Sequence, residues 1–229
     1  MAKRIVVAID GPAGAGKSTV ARRLAGRLGF LYIDSGAMYR AVGLWALRAG
    51  IDLADAHRLS QLAAGAAIQL ESGSSRVLLN GEDVTEAIRT PEVSQAASRV
   101  STFAGVRQAM VAGQRRMAEQ SSVVMEGRDI GSVVFPEAEI KIFLDADPAV
   151  RAERRLLENA GKGEPMDRAA VSREMRQRDE RDRTRAEAPL VQAPDAVYLD
   201  STSMTIDEVV EAILRLVRER TANGEGIAT

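Results

Sequence analysis

The chain has no cysteine and one histidine, His57, among its 229 residues. Without thiols it can form neither disulfides nor zinc–thiolate sites, and it has no cysteine nucleophile. A single imidazole excludes multi-histidine metal centres, and because His57 lies in a predicted surface helix it argues against a histidine-based triad. The chemistry must therefore use carboxylates, lysine, arginine, serine, threonine or tyrosine.

A strong excess of either charge is also missing. The chain has 31 Lys and Arg residues against 32 Asp and Glu residues, a formal net charge of −1. Bulk attraction to nucleic acid or to an acidic membrane is therefore not expected, and any basic site must be local. No apolar run is long enough to cross a bilayer or to form the centre of a signal peptide. We expect a monomeric cytoplasmic protein, with no nucleic-acid or membrane partner and with one domain that carries an insertion.

Alternating strands and helices predict an α/β fold. Residues 5–9 form a continuous apolar, β-branched run, typical of a strand buried on both faces of a parallel sheet. Apolar residues at Val20, Leu24 and Leu28 then indicate an amphipathic helix. The pattern continues with a strand, a helix capped by Ser35 and three further core strands: 30–33, 37–49, 122–125, 140–145 and 196–200. It predicts a doubly wound parallel sheet.

Two segments depart from this alternation. Residues 66–84 contain short strands around an Asn80-Gly81 turn, which predicts a small antiparallel insertion. The charged tract 151–185 is broken by Gly and Pro between positions 161 and 165, which predicts two helices joined by a mobile tip. After the last strand, Thr205 and Glu208 have capping-box spacing and open a final helix. Residues 222–229 are predicted to be a disordered tail.

The segment Gly11-Pro12-Ala13-Gly14-Ala15-Gly16-Lys17-Ser18 matches the whole of the motif G-x-x-x-x-G-K-[ST]. In such a loop the backbone N–H groups turn inward around an anion, and the helix N-terminus adds positive potential. Lys17 would supply a charge to the β- and γ-phosphates, and Ser18 a hydroxyl to Mg²⁺. The motif predicts binding of a nucleoside triphosphate.

The phosphate acceptor needs separate evidence. The chain has no Asn-Lys-x-Asp motif, which argues against a switch GTPase, and it is short for a motor or helicase. A small-molecule kinase fits better, because it needs a second site that holds an acceptor in line with the γ-phosphate. Kinases of UMP, AMP or shikimate and a non-enzymatic nucleotide switch remain open on this evidence.

Three separated motifs resemble those of bacterial cytidylate kinases, nucleoside monophosphate kinases with a P-loop. They are Asp34-Ser35-Gly36-Ala37-Met38-Tyr39-Arg40, Gly127-Arg128-Asp129-Ile130-Gly131 and Arg178-Asp179-Glu180-Arg181-Asp182-Arg183-Thr184-Arg185. The resemblance runs from residue 5 to about residue 218. It implies one P-loop kinase domain over 1–229, with a nucleoside-monophosphate-binding region at 36–120 that contains the insertion and with a helical lid at 151–168.

The same resemblance implies an activity. The γ-phosphate of ATP would be transferred to CMP or dCMP, giving CDP or dCDP, with Mg²⁺ as cofactor and UMP as a weaker acceptor. Ser18 would bind Mg²⁺, and Glu126, where many related kinases carry aspartate, would orient a water on the metal. The predicted ATP-binding residues are Gly11, Pro12, Ala13, Gly14, Ala15, Gly16, Lys17, Ser18, Thr19 and the lid residue Arg155. Arg151, Arg154 and Lys162 are further lid cations within predicted reach of ATP.

Base recognition follows from hydrogen-bond polarity. Cytosine presents an amino donor beside the acceptors N3 and O2, so a carboxylate suits the amino group and an arginine suits the acceptors. By resemblance, Asp129 and Ser98 would meet the amino side and Arg107 the acceptors. Uracil carries an oxygen at position 4, so Asp129 would face it with two acceptors opposed, a mismatch that costs binding free energy unless water bridges it.

Arginines are predicted to capture the acceptor phosphate. By resemblance Arg40, Arg128 and Arg185 surround it, Arg178 lies nearer the transferred group, and Asp182 takes a sugar hydroxyl. If the tract is helical, the i, i+4, i+7 spacing puts Arg178, Asp182 and Arg185 on one face, where Asp182 would pair with both arginines. Ser35 and Tyr39 complete the predicted CMP site; the alternative is that Ser35 only caps its helix and Tyr39 only packs in the core.

The predicted catalytic residues are all cationic: Lys17, Arg128, Arg178 and Arg185. They would draw two anionic reactants together and stabilise an in-line transition state. The attacking oxygen already belongs to an anionic phosphate, so the reaction needs no strong general base.

Overall fold

The computed structural model describes residues 4–71, 75–161 and 167–222. Within them the strands are β1 (Val6–Asp10), β2 (Leu31–Asp34), β3 (Ile68–Leu70), β4 (Val77–Leu79), β5 (Glu82–Asp83), β6 (Val123–Gly127), β7 (Ile140–Asp145) and β8 (Val197–Asp200). The helices are α1 (Lys17–Leu28), α2 (Ser35–Arg48), α3 (Ala56–Ala64), α4 (Pro91–Val100), α5 (Ala104–Met117), α6 (Pro148–Gly161), α7 (Arg168–Thr184) and α8 (Ile206–Ala222). A 3₁₀ turn lies at Ala87–Arg89 and a single π-helical turn at Ile130–Val134.

Five parallel strands form the central sheet in the order β2-β6-β1-β7-β8. Val7 at the centre of β1 pairs with Val124 on one side and with Ile140 on the other. The strand order therefore reverses at β1, and the loop after β1 lies at the position where open α/β sheets bind ligands. The predicted doubly wound parallel sheet is confirmed.

Helices cover both faces of this sheet, which explains the uninterrupted apolar runs in its strands. On one face α1 and α8 pack on the sheet through residues such as Leu24 and Ile213, both fully buried. On the other face the cluster of Ile33, Met125 and Ile130 is extended by side chains of α5. Within the described part of the chain, no helix combines the length and the apolar character needed to traverse a lipid bilayer.

A second, smaller sheet lies within residues 66–84. Strands β3, β4 and β5 pair antiparallel in that order, and Asn80 and Gly81 both have positive φ, 52° and 86°. Two such residues form the tight turn that the sequence indicated. Helices α2 to α5 share one apolar cluster with this sheet. Its assignment to nucleoside monophosphate binding stays a prediction.

Helix α2 packs tightly on α4 through a glycine. A Cβ on Gly43 would lie 2.9 Å from the backbone nitrogen of Ala97 and 3.2 Å from the Cβ of Ala96. Glycine in a helix interior costs about 1 kcal/mol relative to alanine. Close approach of the two helices accounts for its presence.

Helix ends agree with the sequence in part. The capping box is confirmed, because Glu208 accepts from the backbone N–H of Thr205 and the Thr205 hydroxyl accepts from the N–H of Glu208. The prediction that Ser35 caps α2 is wrong. Asp34 is the cap, and its carboxylate accepts from the N–H of Ala37 at 2.9 Å, which places Ser35 inside the first turn.

The middle of the charged tract lies outside the described residues. Helices α6 and α7 are present, but the predicted tip falls mainly on residues 162–166, outside the described ranges. Lys162 therefore has no described position, and the predicted tail lies beyond the last described residue, Ala222. His57 is exposed on α3, as predicted.

Candidate active site

A cavity of about 660 Å³ opens at the carboxyl ends of the central strands. The sequence-predicted residues that line it are Ala13, Gly14, Gly16, Lys17, Ser18, Thr19, Ser35, Tyr39, Arg40, Ser98, Arg107, Glu126, Arg128, Asp129, Arg154, Arg155, Arg178, Asp182 and Arg185. Three loop residues, Gly11, Pro12 and Ala15, lie outside this lining. Residues from both ends of the chain and from its middle therefore share one cavity.

The phosphate loop depends on glycine for its path. Gly14 and Gly16 have φ angles of 75° and 92°, in the left-handed region that favours glycine. At Gly11 a Cβ would lie 1.9 Å from the carbonyl oxygen of Leu144 on β7. Only glycine lets the chain leave β1 so close to the neighbouring strand. Helix α1 then begins at Lys17, with its N-terminus at the cavity.

Lys17 is buried and held on the loop. Its Nζ donates to the carbonyl oxygen of Pro12 at 2.7 Å. Burial, together with the charge of Arg128, lowers the pKa of Lys17 to about 7. An anion beside the amine would favour its charged form and raise that pKa again. A phosphate bound beside Lys17 would therefore stabilise its charged form.

Glu126, at the end of β6, links three elements. Its carboxylate accepts from the Ser18 hydroxyl at 2.9 Å and from the Tyr32 hydroxyl at 2.5 Å. Burial, with Asp34 nearby, raises the pKa of this carboxyl. The Ser35 hydroxyl donates to the Glu126 carbonyl oxygen at 2.6 Å, which ties α2 to the same strand. Among the described residues no group of three or more acidic or histidine side chains could hold a metal. A hydroxyl and a carboxylate facing the cavity suit a hard cation that keeps waters or phosphate oxygens as its other ligands.

Most of the predicted arginines are paired with carboxylates inside the cavity. Arg40 donates to Asp34 at 2.8 Å. Arg107 donates to the buried carboxylate of Asp129 and lies with its guanidinium over the ring of Tyr39. These pairs allow several guanidinium groups to be buried together in a chain of nearly zero net charge.

Asp182 pairs with Arg128, whose Nε donates to its carboxylate at 2.8 Å. Within the described residues Asp182 forms no ion pair with Arg178 or Arg185, so the predicted direct pairing is wrong, although its charge still favours the protonated form of both arginines. Arg185 is the C-cap of α7, and its N–H still bonds to the carbonyl oxygen of Arg181. Its guanidinium lies 3.5 Å from the carboxylate of Asp129.

Arg178 differs from the other arginines. It lines the cavity and forms no ion pair with any carboxylate among the residues that the structure describes, whereas Arg40, whose Nε is likewise without a hydrogen-bond partner there, is paired with Asp34. Burial, and then the charge of Arg128, lower its pKa to about 10, so it remains protonated at neutral pH. A buried cation without a counter-ion is costly, and an anionic ligand would offset that cost.

The three arginines of α6, which the sequence predicts to be lid cations, differ in whether they line the cavity. Arg155 lines the cavity and pairs with Glu158 on its own helix at 2.9 Å. Arg154 lines it too and donates to the carbonyl oxygen of Ser201 at 2.7 Å. Arg151 does not line it, and its side chain contacts the back of the phosphate loop.

Asp10, the last residue of β1, holds the turn after β6. Its two carboxylate oxygens accept from the N–H groups of Ile130 and Gly131, each at 2.8 Å. This turn carries Arg128 and Asp129. Burial raises the pKa of Asp10 to about 6, although the two backbone hydrogen bonds oppose the rise.

This raised pKa predicts a pH-dependent stability. Asp10 binds its proton more tightly in the folded than in the unfolded chain, so its contribution is full below about pH 4 and is lost as the pH rises through about 6. We expect the unfolding free energy of the wild type to fall relative to that of Asp10→Asn, which cannot titrate, by about 2–3 kcal/mol from pH ~4 to ~7. Urea unfolding of both proteins across this range measures the difference. A difference that does not vary with pH would contradict it.

Sequence reasoning missed several residues that face this cavity. Asp34, Arg22, Arg89 and Ser101 line it, and Tyr32 contacts Glu126 from behind. A signal existed for Arg22, which lies one helical turn after Ser18, and for Asp34, which begins a motif already singled out. Arg89 ends the 3₁₀ turn and Ser101 follows α4, and in both places sequence spacing gives no guide to the cavity.

The family comparison matches nearly all of the chain. A family model described as cytidylate kinase matches residues 7–219. A cytidylate kinase of Solibacter usitatus is 62% identical over 224 residues, which cover 97% of this chain and 96% of the relative. A cytidylate kinase of Pelotomaculum thermopropionicum is 55% identical over 214 residues, which cover 92% of this chain and 95% of the relative.

A crystal structure of an uncharacterized protein from Eubacterium ventriosum has a similar fold, with a TM-score of 0.50. The alignment covers 93% of this chain and 98% of that protein at 14% sequence identity. At this identity the similarity concerns the fold alone.

Proposed function

This chain belongs to the cytidylate kinase family, and from that premise we propose that it transfers the γ-phosphate of ATP to CMP or dCMP, with Mg²⁺ as cofactor and UMP as a weaker acceptor. Family membership makes it a nucleotide kinase that phosphorylates CMP, and the proposal adds the donor, the metal and the acceptor ranking. The observation that carries it is a single cavity that joins the phosphate loop to a cluster of buried arginines. The monomeric state, the cytoplasmic location and the lack of a nucleic-acid partner stay predictions.

The donor would bind along the loop after β1. Backbone N–H groups at the start of α1 and the ammonium of Lys17 would hold the β- and γ-phosphates of ATP. Arg155 would reach the same phosphates from α6. The low pKa of Lys17 supports this assignment, because an anionic ligand relieves the cost of burying its charge.

Mg²⁺ would be held by the Ser18 hydroxyl, with Glu126 acting through a metal-bound water. The two side chains lie 2.9 Å apart at the cavity wall, and a hydroxyl with a carboxylate is a donor set that Mg²⁺ accepts. When bound, the ion would neutralise charge on the donor phosphates. Tyr32 would keep the carboxylate of Glu126 in place.

The acceptor phosphate would lie among Arg40, Arg128 and Arg185, with Arg178 toward the transferred group. Asp182 would release part of its hold on Arg128 and take a sugar hydroxyl. Each arginine would exchange a carboxylate partner for a phosphate oxygen, and guanidinium groups bind phosphate well in this bidentate way. Ser35 and Tyr39 would line the nucleoside.

The acceptor base would be read by Asp129, Ser98 and Arg107. The three side chains share one wall of the cavity, and the Ser98 hydroxyl has no hydrogen-bond partner within the described ranges. Asp129 and Ser98 suit the amino group of cytosine, and Arg107 suits its N3 and O2. Uracil would oppose its O4 to the carboxylate of Asp129.

The chemistry then follows from charge and position. Lys17, Arg128, Arg178 and Arg185 hold two phosphates of like charge in line and stabilise the charge on the equatorial oxygens in the transition state. No side chain need remove a proton, because the attacking phosphate oxygen is already ionised. Closure of α6 and α7 would exclude water and so limit hydrolysis of ATP.

A coupled ADP-release assay with a panel of acceptors tests this function. We expect ADP to form with CMP and dCMP, more weakly with UMP, and not with AMP or shikimate. Slow turnover that needs no acceptor would favour a nucleotide switch. A preference for AMP or UMP would overturn the base assignment.

Asp129→Ala tests base recognition directly. Removing the carboxylate takes away both the partner of the cytosine amino group and the group that opposes uracil. We expect the ratio of kcat/KM for CMP to that for UMP to fall about tenfold, equivalent to one mismatched polar contact. Arg48→Met, which breaks an exposed ion pair with Glu82, serves as the control and should leave the ratio unchanged. An unchanged ratio in Asp129→Ala would remove this residue from base recognition.

A further inference from the structure

Arg151 of α6 and Asp179 of α7 form a buried ion pair behind the phosphate loop. Their side chains are 2.5 Å apart between Nη1 and Oδ2, and the two residues are only 5% and 8% exposed. Neither belongs to the cavity lining. They therefore stand one layer behind the surface that would meet a substrate.

Both side chains hydrogen-bond to the backbone of the same loop residue, Ala13. The N–H of Ala13 donates to Oδ1 of Asp179 at 3.3 Å, and the carbonyl oxygen of Ala13 accepts from Nη1 of Arg151 at 3.0 Å. Gly14, the next residue, is wedged against the same helices. A Cβ there would lie 2.8 Å from Cε of Met175 and 2.9 Å from the carbonyl oxygen of Arg151.

Arg151 is itself fixed by the end of the central sheet. Its Nε donates to the carbonyl oxygen of Ala146 at 3.0 Å and lies 3.7 Å from the carboxylate of Asp145, the last residue of β7. The guanidinium thus joins the sheet, the loop and α7 at one point. Because these partners fix the Arg151 side chain on several sides, it can hold the loop in a defined position relative to the sheet and α7.

We propose that Arg151 and Asp179 are positioning residues of the donor site, which set Ala13 and Gly14 for the donor phosphates and fasten both lid helices to the loop. This rests on the proposed use of ATP. The pair acts through the backbone of Ala13, so its effect falls on the donor, while the acceptor site keeps its own arginines.

Paired variants separate this role from a contribution to stability alone. Arg151→Met leaves Asp179 as a buried unpaired charge and is expected to destabilise the fold. The double variant Arg151→Met/Asp179→Leu removes both charges, and replacing a buried ion pair by apolar groups is often neutral for stability. The single variant loses the Arg151 contact with the Ala13 carbonyl oxygen, and the double variant also loses the Asp179 contact with the Ala13 N–H. We therefore expect the KM for ATP to rise in both, by about tenfold in the double variant, with the KM for CMP within about twofold.

The readouts are the two KM values and the midpoint of urea unfolding. Leu214→Ala, a core truncation on α8, is the control for lost stability and should change neither KM. Arg151→Lys should give an intermediate KM for ATP, because an ammonium can still reach one of the partners. Wild-type activity with ATP and CMP is measured first, and its failure would overturn the proposed function instead.

Two results would overturn the positioning role while wild-type activity stands. The first is a double variant that recovers both its stability and the wild-type KM for ATP. The second is that, in both variants, the KM for ATP and the KM for CMP rise by the same factor. A raised KM for ATP in a double variant of restored stability supports the proposal.

Discussion

Replacing Lys17 by alanine is expected to lower kcat about 10²- to 10³-fold, the usual loss when one preorganised donor to a transition state is removed. The KM for CMP should stay within about twofold. Lys17 is buried on the phosphate loop, where it donates to the carbonyl oxygen of Pro12, and in the proposed function its charge would stabilise the donor phosphates. That charge matters most when the phosphoryl group is in transfer.

The measurement is a steady-state assay with ATP and CMP varied in turn. Lys17→Arg is the matched variant, since it keeps the charge but spreads it over a planar group that cannot occupy the same point. We expect it to recover only part of the lost kcat. Equal losses in kcat and in CMP binding, or full activity in Lys17→Ala, would refute the assignment.

Arg178→Ala is expected to lower kcat about 100-fold with a smaller change in the KM for CMP. Arg178 lines the cavity and, unlike Arg40, Arg128 and Arg185, forms no ion pair within the described part of the chain, so in the proposed function its charge would meet the transferring phosphoryl group. Loss of a contact made mainly in the transition state lowers kcat, while loss of a ground-state contact raises KM.

Arg40→Ala is the comparison variant for Arg178→Ala. Arg40 is paired with Asp34 at 2.8 Å and lies near the start of α2. The proposed function assigns it to the acceptor phosphate in the ground state. We expect its loss to raise the KM for CMP about tenfold with a smaller effect on kcat. Initial rates over a matrix of ATP and CMP concentrations distinguish the two variants. The opposite pattern would exchange the roles of Arg40 and Arg178.

Much of the central fold could be predicted because its signals are local. The apolar run before Gly11, the glycines of the loop and the row of Val20, Leu24 and Leu28 each fix one element within a few residues. The turn at Asn80 and Gly81 is equally local, and both residues have the positive φ that this pair favours.

The pairing of charges could not be predicted, because it depends on distances between separate elements. Spacing along α7 put Asp182 beside Arg178, but the carboxylate reaches across the cavity to Arg128. Arg151 gives the same lesson. Its place in a charged tract predicted a residue near ATP, and the fold turns its side chain to the back of the loop. Sequence spacing gives the face of a helix but not its neighbour.

The N-cap of α2 was predicted wrongly for a related reason. Asp34 and Ser35 are both good N-cap residues, and the sequence offers no choice between them. The choice is made by β6, since the Ser35 hydroxyl is taken by the carbonyl oxygen of Glu126. A strand that lies far away in sequence thereby sets the first residue of the helix.

The glycine contact between α2 and α4 has a consequence for how the acceptor wall can move. With Gly43 against Ala97 there is no side-chain layer between the two helices to slide or compress. Tyr39 and Arg40 on α2 and Ser98 on α4 would then move together as one rigid unit. A change in the width of the cleft would then have to arise where this unit joins the rest of the chain, at Asp34 and Ala49 beside α2 and at Thr90 and Phe103 beside α4.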